Sequence, residues 1–346
     1  MGITAFLVKF EDKAVLISMK TIKGTWFEFR HHNKPEGKYW NPICRRFTDE
    51  QWRAKVREMY HMGMEYVVLM CSSLVYENEA EAYFETDIFP FPEDMVCKDP
   101  IGVLLDECDK CDMKVFVSCG FYGVWTHTYE NMTSPEVTAR AFKAMDELYA
   151  QYGSHKSFYG WYFPDETCIK GHFLEEFITY VNAYSAHAHK IAPHTKTLIA
   201  PYGTNILVAD EEYVEQLKQL DVDIIAYQDE IGVRKSTPDQ TGAYYKALRA
   251  AHDAAGRSAL WADMEVFEFE ADVYRSALIP ASMDRVEKQL EAISPYVDVV
   301  LCYQYLGMFN EPSTIAYCGH PDSVRYFEEY QKFRKKHEIV EKTMEN

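Results

Sequence analysis

Eight strand-length apolar runs alternate with amphipathic helical stretches along this chain, and few folds can absorb that pattern. The runs are GTWFEF (24–29), YVVLMC (66–71), KVFVSC (114–119), FYGWYF (158–163), TLIAPY (197–202), DIIAYQ (223–228), ALWADM (259–264) and VVLCYQ (299–304). Each is short, rich in β-branched or aromatic residues and bounded by polar or turn residues, as parallel strands buried on both faces are. Between them lie TDEQWRAKVREMYHMG, DPIGVLLDECDKCDM, SPEVTARAFKAMDELYAQYG, DEEYVEQLKQLD and SMDRVEKQLEAISPYVD. These carry a helical apolar period, and several open on a capping residue such as Thr48 or Ser134 followed by an acidic first turn. Strand and helix alternating eight times predict a (β/α)8 TIM barrel, an α/β fold closed on itself.

The two kinds of connection differ in length, and the difference locates the working face. Helix-to-strand links need only a few residues, such as Met62 to Glu65 or Leu220 to Val222. Strand-to-helix links are long: RHHNKPEGKYWNPICRRF after the first strand, SSLVYENEAEAYFETDIFPFPEDMVCKD after the second, EVFEFEADVYRSALIPA after the seventh and YLGMFNEPSTIAYCGHPD after the eighth. Barrel enzymes build their sites on that face, and long loops in compact domains are mostly functional. No second domain or low-complexity linker interrupts the pattern. A single domain over 1–346 is expected, with its barrel over about 20–335, a strand-like extension over 1–19 and a frayed, charged tail over 336–346.

Composition removes several function classes. With 54 acidic and 36 basic residues the net charge is −18, which repels phosphate backbones and argues against nucleic acid as a partner. No window of about 18 apolar residues is present, so no membrane span is expected. The opening MGITAFLVKFEDKAVLISMK alternates apolar and polar residues and reads as a strand pair rather than a secretory signal, which predicts a cytoplasmic protein. Nine scattered cysteines fit a reducing compartment. The one CxxC, Cys108 to Cys111, sits inside a helical pattern with no second half of a zinc set, so both read as ordinary helix residues. No Gly-rich phosphate loop follows a strand, and GVLL (102–105) lacks the dinucleotide spacing, so no cofactor is implied.

The residues at each strand's C-terminal end carry the chemistry. They are Glu28 and Arg30 on the first strand, Phe121, Tyr122 and Trp125 on the third, and Asp165 and Glu166 on the fourth. Tyr202 and Asn205 follow the fifth, Gln228, Asp229 and Glu230 the sixth, Asp263 and Glu265 the seventh, and Tyr303, Gln304 and Tyr305 the eighth. Carboxylates from three strands thus converge on one mouth ringed by aromatic groups. Such a pair suits glycosidic cleavage, one carboxyl protonating the leaving oxygen while the other attacks or stabilises the oxocarbenium-like centre. Aromatic residues make up 15 % of the chain and crowd the long loops, where flat rings can bind sugar faces. Side-chain alternation along an extended segment points Asp229 into the mouth and Glu230 away.

The motifs GTWFEF, FYGWYFPDE, IIAYQDEIG and LWADMEVFE, in that order, resemble an uncharacterised bacterial family of glycoside-hydrolase-like barrels known only as a domain of unknown function. The resemblance spans roughly residues 20 to 335. The layout is similar to the large clan of retaining glycosidases with glutamates after strands four and seven. That likeness implies Glu166 as acid/base and Glu265 as nucleophile, with Glu28, Arg30, Tyr122, Trp125, Asp165, Tyr202, Asn205, Gln228, Asp229, Tyr303 and Gln304 expected to contact a carbohydrate substrate. Asp165 stands where the clan carries asparagine, and Tyr303 and Tyr305 stand where it carries tryptophan. Retention would set the two carboxyl groups about 5–5.5 Å apart. Tyr227 or Gln228 is expected to hydrogen-bond Glu265 and keep it ionised, leaving Glu166 protonated near neutral pH.

Competing readings exist for these residues. Glu166 could cap a helix over TCIKGHFLEEF, since an acid is favoured at a helix start. His31, His32 and His127 could bind metal, but the first strand lacks His-x-His and no carboxylate–histidine set recurs, so no metal is expected. Alternatives to the glycosidase are a metal-assisted sugar isomerase or epimerase and a carbohydrate-binding barrel without catalysis.

Overall fold

The computed structural model describes residues 6–10, 13–17 and 19–344. Its centre is a closed barrel of eight parallel strands. These are β1 (Ile22–Phe27), β2 (Tyr66–Leu69), β3 (Lys114–Ser118), β4 (Phe158–Tyr162), β5 (Lys196–Ile199), β6 (Ile224–Gln228), β7 (Ala259–Glu265) and β8 (Val299–Tyr303). Each pairs with the next in the chain, and β8 returns to β1 through Val300–Ile22, Leu301–Gly24 and Cys302–Thr25. All eight expected runs are strands, shifted by at most two residues at their starts.

A helix follows every strand: α1 (Asp49–His61), α2 (Pro100–Cys111), α3 (Pro135–Tyr152), α4 (Glu175–Ile191), α5 (Glu211–Gln219), α6 (Pro238–Ala255), α7 (Met283–Ile293) and α8 (Ser323–Met344). Their starts follow from local chemistry. Thr48 and Gln51 form a reciprocal capping box on α1, and Ser134 accepts the Val137 amide at the start of α3. Cys108 and Cys111 lie in α2, and all nine cysteines are free. The helix α8 runs to Met344, through most of the segment expected to fray. Ahead of the barrel, Phe6–Phe10 and Lys13–Ile17 pair as an antiparallel hairpin.

Aromatic side chains fill the barrel from below. The Tyr66 and Trp261 rings meet edge-on at 4.9 Å, and Phe116 packs edge-on against Tyr159 at 5.3 Å and Trp261 at 6.0 Å. Higher up, Trp26 of β1 meets Tyr162 of β4 edge-on at 5.9 Å. Two of the long loops fold into their own antiparallel hairpins at the C-terminal rim: Ser73–Tyr76 with Glu79–Ala82 after β2, and Phe267–Phe269 with Leu278–Pro280 after β7. Among the described residues no helix is long and apolar enough to cross a membrane.

Candidate active site

The barrel's C-terminal mouth holds a cavity of about 480 Å³, and both glutamates line it. Glu166 stands four residues past the end of β4. Its carboxylate accepts from the Tyr162 hydroxyl at 2.9 Å and from Gln228 Nε2 at 2.7 Å. Tyr162 is fully buried against Trp26, so one oxygen of Glu166 is positioned directly from the barrel core. Burial pushes the Glu166 carboxyl up to about 7, against the two hydrogen bonds that favour its charged form. The helix-cap reading does not hold. The segment 167–173 is not helical, and α4 begins only after Leu174.

Glu265 is the last residue of β7, in register with Tyr303 of β8. Its Oε2 accepts the Val233 backbone amide at 2.8 Å. That contact needs the loop after β6 to pass very close. A Cβ on Gly232 would lie 2.9 Å from Glu265 Oε2 and 2.8 Å from the Phe267 carbonyl oxygen, so glycine is required for the approach. The expectation that Tyr227 or Gln228 bonds Glu265 is corrected. Gln228 serves Glu166, and the Tyr227 hydroxyl pairs with Tyr213 and His252 behind the strand. With one backbone donor against full burial and nearby Asp229, the Glu265 carboxyl is pushed up instead of being held ionised.

Asp229 and Glu230 exchange their expected places. Asp229 is 1 % exposed, accepts Gln289 Nε2 at 2.7 Å and the backbone amides of Glu265 and Ile231, and does not line the cavity. Glu230 lines it, ion-paired to Lys235 at 2.9 Å. The cause is a left-handed backbone at Glu230 (φ +55), which ends the extended alternation that the parity argument assumed. Asp229 is therefore a bracket between the β6 and β7 strand ends.

The other expected contacts divide in the same way. Trp125, Tyr202, Gln228 and Tyr303 line the cavity. Glu28, Arg30, Tyr122, Asp165, Asn205 and Gln304 do not. Tyr122 is buried and stacks on Phe89, while its neighbour Phe121 faces the cavity. Asp165 is buried on Asn131 Nδ2 at 2.9 Å, and burial pushes its carboxyl up to about 7. Asn205 donates its side chain to the Lys235 carbonyl at 3.3 Å. Arg30 pairs with Glu79 and Glu81 at the outer rim. Asp263 also lines the cavity and is 3 % exposed. Its Oδ1 has no hydrogen-bond partner, and burial, followed by Glu166, Glu265 and Asp229, pushes its carboxyl well above the usual carboxylate range.

Beneath one wall lies a network that spans the β1 loop. Glu28 accepts from His31 Nδ1 at 2.8 Å, Trp40 Nε1 at 3.1 Å and Gln304 Nε2 at 2.7 Å. The other His31 nitrogen meets Glu36 at 2.9 Å, and Glu36 lines the cavity. Burial alone would push His31 down, but the two flanking carboxylates raise it to about 10, so it is an imidazolium. His32 is the reverse case: burial, then the His31 charge, lower it to about 3 and keep it neutral. Among the described residues Glu28, His31 and His32 could together hold a metal, their ligand atoms lying within 4.8 Å of one another. Glu28 and both His31 nitrogens are committed to hydrogen bonds, whereas His32 Nδ1 is buried without a partner. Glu36, Lys235 and Tyr274 were missed from sequence because they come from loop interiors with no period to mark a facing side.

A family model described as domain of unknown function DUF4434 matches residues 22–316. The chain belongs to that family. The motif resemblance to a glycoside-hydrolase-like family of unknown function is borne out, and solved structures similar to this DUF4434 member include glycoside hydrolases. One, provisionally described as an α-L-fucosidase of Bacteroides thetaiotaomicron, has a TM-score of 0.70 at 18 % identity over 96 % of this chain and 98 % of its own. An endo-β-1,4-mannanase of Thermotoga petrophila gives 0.56 at 10 % identity, covering 90 % and 76 %. An endo-1,4-β-mannanase of Rhizomucor miehei gives 0.54 at 9 %, covering 96 % and 98 %. At these identities the likeness is one of fold. No curated protein sequence matches the chain.

Proposed function

We propose that this DUF4434 barrel is a retaining glycosidase in which Glu166 is the acid/base and Glu265 the nucleophile. The observation that carries the reading is that glutamates from the C-terminal ends of β4 and β7 line one aromatic-walled cavity. A group titrating near 7 can give and take a proton at neutral pH, which suits Glu166 to protonate the glycosidic oxygen and later to deprotonate water. Glu265, in register with Tyr303, attacks the anomeric carbon as the leaving group departs. Burial raises Glu265 as well, so ionising it before substrate binds costs free energy; the productive form has Glu166 protonated and Glu265 ionised. The positive charge that develops on the sugar ring then favours ionised Glu265 at the transition state. Asp263, whose burial favours the protonated form and whose Oδ1 is without a partner, can donate a hydroxyl to the bound sugar without adding a further charge.

The test is kinetic. Glu265→Gln should leave substrate binding nearly intact and lower kcat by several orders of magnitude, because only transition-state stabilisation is lost. Glu166→Gln should slow unactivated glycosides far more than aryl glycosides with good leaving groups, which need little protonation. Full activity in the double variant would sink the assignment. The metal-assisted isomerase alternative would draw on Glu28, His31 and His32. Sugar isomerisation that tracks stoichiometric metal in elemental analysis would favour it instead.

A further inference from the structure

The catalytic cavity does not end at its own rim. It shares Trp125 and Thr126 with a depression of about 350 Å³, and that depression shares Lys34 and Glu79 with a third cavity of about 680 Å³ under the β1 and β2 loops. We propose that this trough binds the remote units of an extended, uncharged glycan chain whose scissile bond lies between Glu166 and Glu265. The proposal rests on the glycosidase reading and adds chain length and charge class to it.

Length follows from continuity and size. Each cavity falls within or above the roughly 300 Å³ at which ligand pockets begin, so a substrate confined to the first would leave two comparable spaces empty. The junctions are also built firmly. The Trp125 ring packs edge-on against His32 at 4.6 Å, and its backbone amide bonds the Val75 carbonyl at 3.0 Å. The next ring along, Tyr76, is pinned through its hydroxyl to the His32 carbonyl at 2.9 Å, with Arg30 and Lys34 against its face at 5.0 and 4.4 Å. Rigid, anchored aromatic groups spaced along a groove bind sugar units with little ordering cost.

Charge class follows from the ion pairs. The far cavity contains four cations, but each is already matched. Arg30 meets Glu79 at 2.7 Å and Glu81 at 3.0 Å, and Arg45 meets Glu81 at 2.6 Å and Asp94 at 3.0 Å. Lys34 meets Glu79 at 3.1 Å, and Lys38 meets Glu270 at 2.9 Å. A uronate or sulfate group would have to break one of these pairs and sit beside the displaced carboxylate. A sugar hydroxyl, donor and acceptor at once, can join a guanidinium to a carboxylate without breaking either pair. The net charge of −18 acts in the same direction on a polyanion approaching from solution.

The experiment begins with aryl glycosides of neutral monosaccharides and of uronic acids. If none is turned over, and neither neutral nor uronate oligosaccharides are cleaved, the glycosidase reading falls and the proposal with it; turnover of uronates alone overturns the charge class and leaves the glycosidase reading standing. With the sugar so identified, its oligomers from dimer to hexamer are compared. The expected result is a rise in kcat/KM of about tenfold or more along the series, as remote binding energy is spent at the reacting centre. Lys34→Ala, at an exposed position, and Trp125→Ala should each lower the hexamer-to-dimer ratio, with melting curves to verify folding. A flat length dependence in the wild type overturns the extended cleft while leaving the glycosidase reading standing. Faster cleavage of the matching uronate oligomer overturns the charge class.

Discussion

Gln228 Nε2 donates a 2.7 Å hydrogen bond to Glu166 Oε2, and its second proton is spent on the Ala200 carbonyl at 3.0 Å. The amide is therefore fixed as a donor toward the carboxylate and selectively stabilises its charged form. This bond and the Tyr162 hydroxyl are what hold Glu166 to about 7 against its desolvation in the cavity wall. Gln228→Leu should raise the Glu166 pKa further. The limb of the kcat/KM–pH profile that Glu166 sets should then move upward by about one unit, since a hydrogen bond to a charged group contributes about 1.5–3 kcal/mol before solvent relaxation. A limb that stays in place would show that another group sets it.

Gly232 permits the loop after β6 to reach Glu265, and its replacement should separate positioning from binding. An alanine Cβ would press on Glu265 Oε2 and on the Phe267 carbonyl at once, and the latter is backbone that cannot swing aside. Gly232→Ala should shift the carboxylate, lowering kcat by about a hundredfold, the effect expected of a displacement near 1 Å. KM should change less than kcat, because Trp125, Tyr202 and Tyr303 are untouched and only the edge of the Phe267 ring is met. Equal loss in kcat and 1/KM would point to collapse of the cavity instead.

Much of this architecture could be read from residue order alone, because buried parallel strands are continuous β-branched and aromatic runs that nothing else in the chain imitates. YVVLMC and DIIAYQ are unambiguous for that reason. The placement of Glu166 and Glu265 in one cavity followed once the strand ends were known. What failed was the facing of Asp229 and Glu230, since a single left-handed residue reverses a parity argument and leaves no trace in composition. The Glu28–His31–Glu36 network was equally hidden. Its members are near neighbours in sequence, but their convergence depends on the path of the β1 loop and on Gln304, 276 residues away from Glu28.

That network gives a stability prediction. His31 is a buried cation between two buried carboxylates, so removing it leaves like charges facing each other with no counter-ion. His31→Ala should cost about 3–5 kcal/mol, the range for breaking a buried ion pair from one side. Adding Glu28→Gln should recover part of that loss, because one stranded charge is then gone. Chemical denaturation of the two variants measures both values, and a His31→Ala protein as stable as the wild type would refute the imidazolium assignment.

The last prediction concerns pH. Glu166 has a folded-state pKa of about 7 against an ordinary value of 4.5, so the native state holds its proton more tightly than the unfolded chain does. Its proton is bound in both states below 4.5, and the group then carries no ionisation penalty. Between 4.5 and about 7 the unfolded chain ionises while the native state does not, so stability falls as pH rises, and the loss is complete above the folded pKa. Asp165, raised to about 7 for the same reason, adds to the slope in the same window. Glu166→Gln removes one ionisation and should flatten that slope. Relative to the wild type, the variant should therefore gain stability on going from pH 5 to pH 8. The gain should be on the order of 1–3 kcal/mol, bounded above by the full pKa difference and reduced by the water that reaches the cavity. Urea denaturation at the two pH values gives the comparison directly. Parallel stability curves for wild type and variant would mean that Glu166 ionises in the native state as freely as in solution, and its role as a proton donor at neutral pH would then be untenable.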